Sequence, residues 1–110
     1  FDNIINIPVD PETDGEKIKI IYNNSILPKL ESFRPELLII SAGFDAHTDD
    51  PLANLNLVEE DYAWITHKLC DVAEKYCNGR LVSSLEGGYN LEALAASVAA
   101  HVNVLMERSK

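Results

Sequence analysis

Basic side chains are scarce in this sequence: 9 Lys and Arg stand against 18 Asp and Glu, for a formal net charge of −9. That balance argues against a nucleic-acid backbone as partner, which needs a basic face, and it is compatible with a cationic substrate. Cysteine is nearly absent. Cys70 and Cys77 form no Cys-x-x-Cys pair, so a structural zinc site is not expected. On one helix their spacing amounts to roughly 10 Å along the axis, beyond the reach of a disulfide. Both read as reduced thiols, and a cytoplasmic location is expected. No apolar run approaches the ~18 residues of a membrane span, and no signal-peptide or lipidation pattern is present, so no membrane partner is expected. No His-His pair occurs in the 110 residues. The chain opens Phe1-Asp2-Asn3-Ile4 without an initiator Met, which reads as the interior of a longer protein.

What is present is an ordinary globular composition, 46% hydrophobic and 25% charged, in a length that suits one small domain or part of a larger one. Residues 4–7 read as a short strand ended by Pro8. A turn-rich loop covers 9–15. Apolar positions at Ile18, Ile21, Tyr22, Ile26, Leu30 and Phe33 have helical spacing over 16–33, and Pro28 should kink or interrupt that helix. A strand is predicted over 36–41, a long loop over 43–57, and a second helix over 58–78 with Tyr62, Ile65, Leu69, Val72 and Tyr76 on its buried stripe. Gly79 suits a left-handed C-terminal cap. A strand over 80–85 follows. Asn90 then caps a helix over 91–107, with Leu94, Ala95, Val98, Val102 and Leu105 on one face. The alternation of strand and helix predicts an α/β fold with a parallel sheet and right-handed crossovers. The near-continuous apolar strands predict cover on both faces. Three strands are few for such a sheet, which points to more sheet elsewhere.

Two strand ends carry the chemistry. Leu37-Leu38-Ile39-Ile40 runs into Ser41-Ala42-Gly43-Phe44-Asp45-Ala46-His47, and Leu81-Val82-Ser83-Ser84-Leu85 runs into Glu86-Gly87-Gly88-Tyr89-Asn90. Open α/β sheets place their sites at such carboxyl ends. Asp45 and His47 form an Asp-x-His pair of metal-ligand type, but two ligands are too few for zinc. The plainer reading has Asp45 capping the next turn and His47 facing solvent. Asp49-Asp50-Pro51 is a structural Asx-type turn opener. Gly87-Gly88 lets the backbone approach a ligand, and the helix that follows favours an anion, yet the Gly-x-Gly-x-x-Gly pattern is missing. Tyr89 has two readings, an oxyanion donor or packing at the sheet edge. His67 and His101 read as surface or partly buried helix residues, and Trp64 as a core or partner contact.

Together, Ser41-Ala42-Gly43-Phe44-Asp45-Ala46-His47 with Asp50-Pro51-Leu52, and Leu85-Glu86-Gly87-Gly88-Tyr89-Asn90, resemble the zinc-dependent histone deacetylase superfamily, which includes acetoin-utilisation proteins and acetylpolyamine amidohydrolases. Asn6-Ile7-Pro8, Phe33-Arg34-Pro35-Glu36-Leu37 and Leu55-Asn56-Leu57 fit the same frame. Glu86 before the two glycines is similar to the class II and bacterial branch.

The resemblance implies a three-layer α/β/α parallel-sheet domain of the arginase/deacetylase type, with residues 1–110 as its C-terminal portion. It implies that Asp45 is the third ligand of a Zn2+ ion. Leu52 would line the acyl tunnel, Gly88 would form tunnel wall near the metal, and Tyr89 would donate its hydroxyl to the substrate carbonyl and then to the oxyanion. It implies hydrolysis of acetyl amides of cationic amines, acetyl-lysine or acetylpolyamine. His47 is not a ligand position in the family. The family's tandem histidines and its earlier Asp-x-His pair are absent from this sequence, so the remaining zinc ligands and the base are expected in the remainder of the same domain, and the isolated chain is expected to be inactive. The rival readings are a non-catalytic relative that binds acyl-lysine or a partner surface, and a phosphate-binding module built on Gly87-Gly88.

Overall fold

Helix formation starts at Asp14, whose carboxylate accepts the Lys17 N–H at 3.1 Å. A computed structural model describes residues 3–109. Its elements are α1 (Gly15–Ile21), a π-helical turn (Tyr22–Ile26), α2 (Leu27–Phe33), β1 (Leu38–Ala42), α3 (Glu59–Tyr76), β2 (Leu81–Leu85) and α4 (Leu91–Arg108).

The expected interruption at Pro28 takes the form of the π turn. Proline has no N–H, and its ring crowds the carbonyl four residues back. Widening the preceding turn, with the Leu27 N–H bonded to the Tyr22 carbonyl, opens space there without breaking the helix. The α1–α2 rod ends at Arg34, which is left-handed at φ 56°. α3 starts at Val58, which has no polar side chain to cap with. Asp61 reaches back instead and accepts the Val58 N–H at 2.9 Å, half of a capping box. At the far end Asn78 and Gly79 are both left-handed, at φ 55° and 79°, and the Gly79 N–H donates to the Ala73 carbonyl. The left-handed exit therefore begins one residue before the expected Gly79. Asn90 caps α4 as predicted, its side chain accepting the Ala93 N–H at 2.9 Å; such a cap contributes about 1 kcal/mol.

β1 and β2 pair in parallel, Leu38 opposite Leu81 through Ala42 opposite Leu85. Residues 4–7, expected as a strand, have no β pairing, and Ile4 and Ile5 are exposed. A strand exists only beside a neighbour, and none lies there among the described residues. Helices cover one sheet face. Leu38 packs with Leu69, Ala73 and Cys77, flanked by Tyr22 and Leu30. Ala42 and Phe44 pack with Leu57 and Tyr62, flanked by Leu94 and Val98. The other face carries Ile39 and Val82, both more than half exposed. The expectation of cover on both faces is thus met on one side only among the described residues: one helical layer and the sheet are present, and a third layer is not.

α4 departs in part from its predicted face: Leu94 and Val98 pack against the core as expected, but the buried residues are Ala93, Ser97, His101 and Val104, and Ala95 and Val102 are exposed. Small side chains at Ala93 and Ser97 let α4 lie close against α3, and apolar size alone misplaces that stripe. His101, expected at the surface or partly buried, is buried on α4 against α3 and β2. The Thr66 hydroxyl donates to the Tyr62 carbonyl at 2.6 Å, so it accepts from His101 Nδ1 at 2.8 Å. His101 Nε2 accordingly accepts from the Ser83 hydroxyl at 2.8 Å. Burial holds the His101 pKa below its ordinary 6.5. The unfolded chain then binds this proton more readily than the folded one, so stability should fall as pH falls below about 6.5. Melting temperatures of wild type and His101→Gln across that range test this: wild type should lose stability faster, and parallel curves would remove His101 from the account.

Candidate active site

The strand pairing continues past both strand ends. The Glu86 N–H donates to the Ala42 carbonyl at 2.9 Å and the Phe44 N–H to the Gly87 carbonyl at 2.8 Å. The two loops are therefore zipped together where the sequence changes from apolar to functional. Phe44 is the anchor: it is 4% exposed, its ring centroid 5.0 Å from that of Tyr62 and 5.7 Å from that of His101. A buried Phe44 fixes the next residue, Asp45, at the carboxyl edge of the sheet.

The Asp45 carboxylate lies against two glycines. A Cβ on Gly87 would stand 3.0 Å from Oδ2, and one on Gly43 3.2 Å from Oδ1. Bare backbone on both sides leaves the oxygens room to face a ligand. Tyr62 stays protonated beneath them, its pKa pushed up by burial and then by the Asp45 charge. Among the described residues no three His, Cys, Asp or Glu side chains gather as a metal cage. A catalytic zinc takes three protein ligands, and Asp45 fits as one of them. A hard carboxylate donor with no side chain from Gly43 or Gly87 against it suits such a site.

His47 does not face solvent. It is 3% exposed, its Nδ1 accepts the Asp49 N–H at 3.0 Å, and its Nε2 lies 3.1 Å from Glu59 Oε1. Both ring nitrogens are committed, so the local Asp-x-His metal reading is lost and His47 acts as an internal tie to α3. Nor does Asp45 cap the turn. The loop that holds both is ordered by backbone bonds: Thr48 N–H to the Leu57 carbonyl, Leu57 N–H to Ala46, and Asn56 N–H to Thr13.

Gly88 has φ 140°, where side chains are rarely tolerated, and a Cβ there would meet Leu94 Cδ1 at 2.6 Å and Phe44 Cβ at 3.4 Å. That backbone conformation favours glycine, and a side chain there would also displace Leu94. Tyr89 and Leu52 are both more than half exposed. Asp45, Leu52, Gly88 and Tyr89 thus lie on two loops joined at one sheet edge.

Asp50 is the residue whose importance the sequence understated. Its Oδ1 accepts the Leu52 N–H at 2.9 Å, the Asx turn expected there, and its Oδ2 accepts the Tyr89 N–H from the other loop at 2.8 Å. Partial burial pushes its pKa up, but the backbone N–H groups of Leu52, Tyr89, Asn90 and Ala53 outweigh that and leave it below the usual carboxylate value. A local turn signal was legible; a bond to a residue so distant in sequence was not.

Comparison with known proteins places this architecture. Residues 2–105 match the histone deacetylase domain model. The chain is 49% identical over 105 residues to Type-2 histone deacetylase 1 of Dictyostelium discoideum, covering 96% of this chain and 7% of that protein. It is 41% identical over 88 residues to a probable deacetylase of Archaeoglobus fulgidus, covering 80% of this chain and 24% of that protein. Among solved structures, the HD domain of HDA15 superposes with a TM-score of 0.83 at 33% identity, over 90% of this chain and 27% of that chain. The chain therefore spans a minor part of the relatives it matches. The family match runs through both loops, the one bearing Asp45 and the one bearing Gly88 and Tyr89, and the chain belongs to the histone deacetylase family.

Proposed function

We propose that residues 1–110 form the C-terminal portion of a single deacetylase domain, and that the complete protein hydrolyses acetyl amides of cationic amines, acetyl-lysine or an acetylpolyamine. The observation that carries this reading is the junction of the two loops at Phe44 and Gly87, which sets the Asp45 carboxylate against the backbone that leads to Tyr89. A zinc ion, when bound, supplies polarisation of the acetyl carbonyl and a water of lowered pKa. Asp45 would hold it together with ligands from the remainder of the domain. The Tyr89 hydroxyl donates to the oxyanion as the carbonyl carbon becomes tetrahedral. Leu52 and Gly88 line the passage for the acyl chain. The net charge of −9 suits a cationic amine. Cys70 and Cys77 are free, buried thiols, in keeping with a reducing compartment such as the cytoplasm.

The test compares the full-length protein with the isolated 110-residue chain on an acetyl-lysine peptide and an acetylated polyamine. The full-length protein should release acetate and lose that activity to a chelator. The isolated chain should not turn over even with added zinc, because it offers one ligand and no histidine base. Robust, chelator-sensitive turnover by the isolated chain would overturn the fragment reading. Binding of acyl-lysine by the full-length protein without hydrolysis would favour a non-catalytic relative.

A further inference from the structure

Asp50 stands at the centre of the two-loop junction. It is 8% exposed, and its two oxygens serve different loops: Oδ1 takes the Leu52 N–H at 2.9 Å and Oδ2 the Tyr89 N–H at 2.8 Å. A carboxylate that accepts two backbone amides in this way fixes the distance between them. Leu52 and Tyr89 are otherwise exposed side chains on irregular backbone. The Gly87-Gly88 pair before Tyr89 is conformationally permissive, with Gly88 at φ 140°. Without an external tie, the backbone at Tyr89 has freedom that a transition-state donor cannot have. The Asn90 side chain is engaged with the Ala93 N–H and secures the helix rather than the tyrosine.

We infer that Asp50 is a positioning residue for Tyr89: its carboxylate locks the tyrosine backbone, and with it the hydroxyl, to the loop that carries Asp45 and Leu52. This rests on the reading of Tyr89 as oxyanion donor. Asp50 touches neither substrate nor metal in this account. Its effect on turnover runs through Tyr89 and must vanish when the Tyr89 hydroxyl is gone, whereas its hold on the Leu52 N–H acts on substrate binding.

The test is a double-mutant cycle in the full-length enzyme, with Asp50→Asn, Tyr89→Phe and both together. Asparagine keeps the shape but has one acceptor oxygen, so one of the two amides loses its partner and faces an NH2 group. Because small misplacements of reacting groups cost up to about 10²-fold, Asp50→Asn should lower kcat roughly 10- to 100-fold with KM within about threefold and zinc content unchanged. In the Tyr89→Phe background the same change should cost less than about threefold, a strong non-additivity that marks a shared role. Should Asp50→Asn not fold, Asp50→Glu, which keeps two oxygens at a shifted position, carries the same cycle. Equal losses in both backgrounds, loss of zinc, or no loss of turnover would each overturn the positioning role while leaving Tyr89 as the donor. If Tyr89→Phe alone left turnover within about twofold, the reading of Tyr89 would fall, and this inference with it.

Discussion

Asp45→Ala in the full-length protein is expected to remove most bound zinc and, with it, most activity. The argument starts from packing. Phe44 is buried under the sheet edge, and Gly43 and Gly87 flank the carboxylate with bare backbone, so no neighbouring side chain stands in those two positions to replace the lost oxygens. A catalytic zinc site with three protein ligands cannot spare one; even partners of the ligands are worth about 10–100-fold in affinity or activity. Zinc content measured by elemental analysis under chelator-buffered conditions should drop by more than about tenfold. Metal retained at the wild-type level would show that Asp45 is not a ligand. His47→Ala is the comparison. Both of its ring nitrogens are occupied by Asp49 and Glu59, so its loss should lower the melting temperature and leave zinc in place.

Tyr89→Phe should have an effect of similar size on a different quantity. The hydroxyl is assigned to the oxyanion, which exists only as the reaction proceeds, so its removal falls on turnover rather than on binding. Loss of one oxyanion donor costs ~10²–10³ in rate. The fold should be indifferent: the Tyr89 side chain is more than half exposed, and the residue is held by its backbone N–H. Zinc should stay at full occupancy. Turnover within about twofold of wild type, on protein with full zinc content, would leave Tyr89 as part of the scaffold.

Much of this was legible in the sequence because it is local. The β1 and β2 strands, α3, the Asn90 cap and the stripe of Tyr62, Leu69 and Val72 follow from periodicity and capping chemistry, which act over a few residues. The two loops were legible as a resemblance, and their strand-end position follows from the apolar runs before them. What escaped were contacts between distant segments. His101 reads as a surface or partly buried helix residue, and the Thr66 and Ser83 hydroxyls, from α3 and β2, make its full burial tolerable. His47 was expected in solvent, since nothing nearby announces Glu59 as its partner. The strand expected at 4–7 has the right composition but no neighbour to pair with among the described residues. Asp50 was visible as a turn former and invisible as the tie to Tyr89.

The parallel register of β1 on β2 also bears on how the molecule is made. Strands joined this way cannot zip from a tight hairpin. The chain between positions 42 and 81 must first turn back along the sheet, and the entropy of closing that excursion is lost before any interstrand hydrogen bond is gained. Phe44 reaches Gly87, and Asp50 reaches Tyr89, only once the strands are aligned. The helices can take shape from neighbours a turn away; the juxtaposition of Asp45 with Tyr89 cannot. The juxtaposition of Asp45 with Tyr89 thus depends on the pairing of β1 with β2.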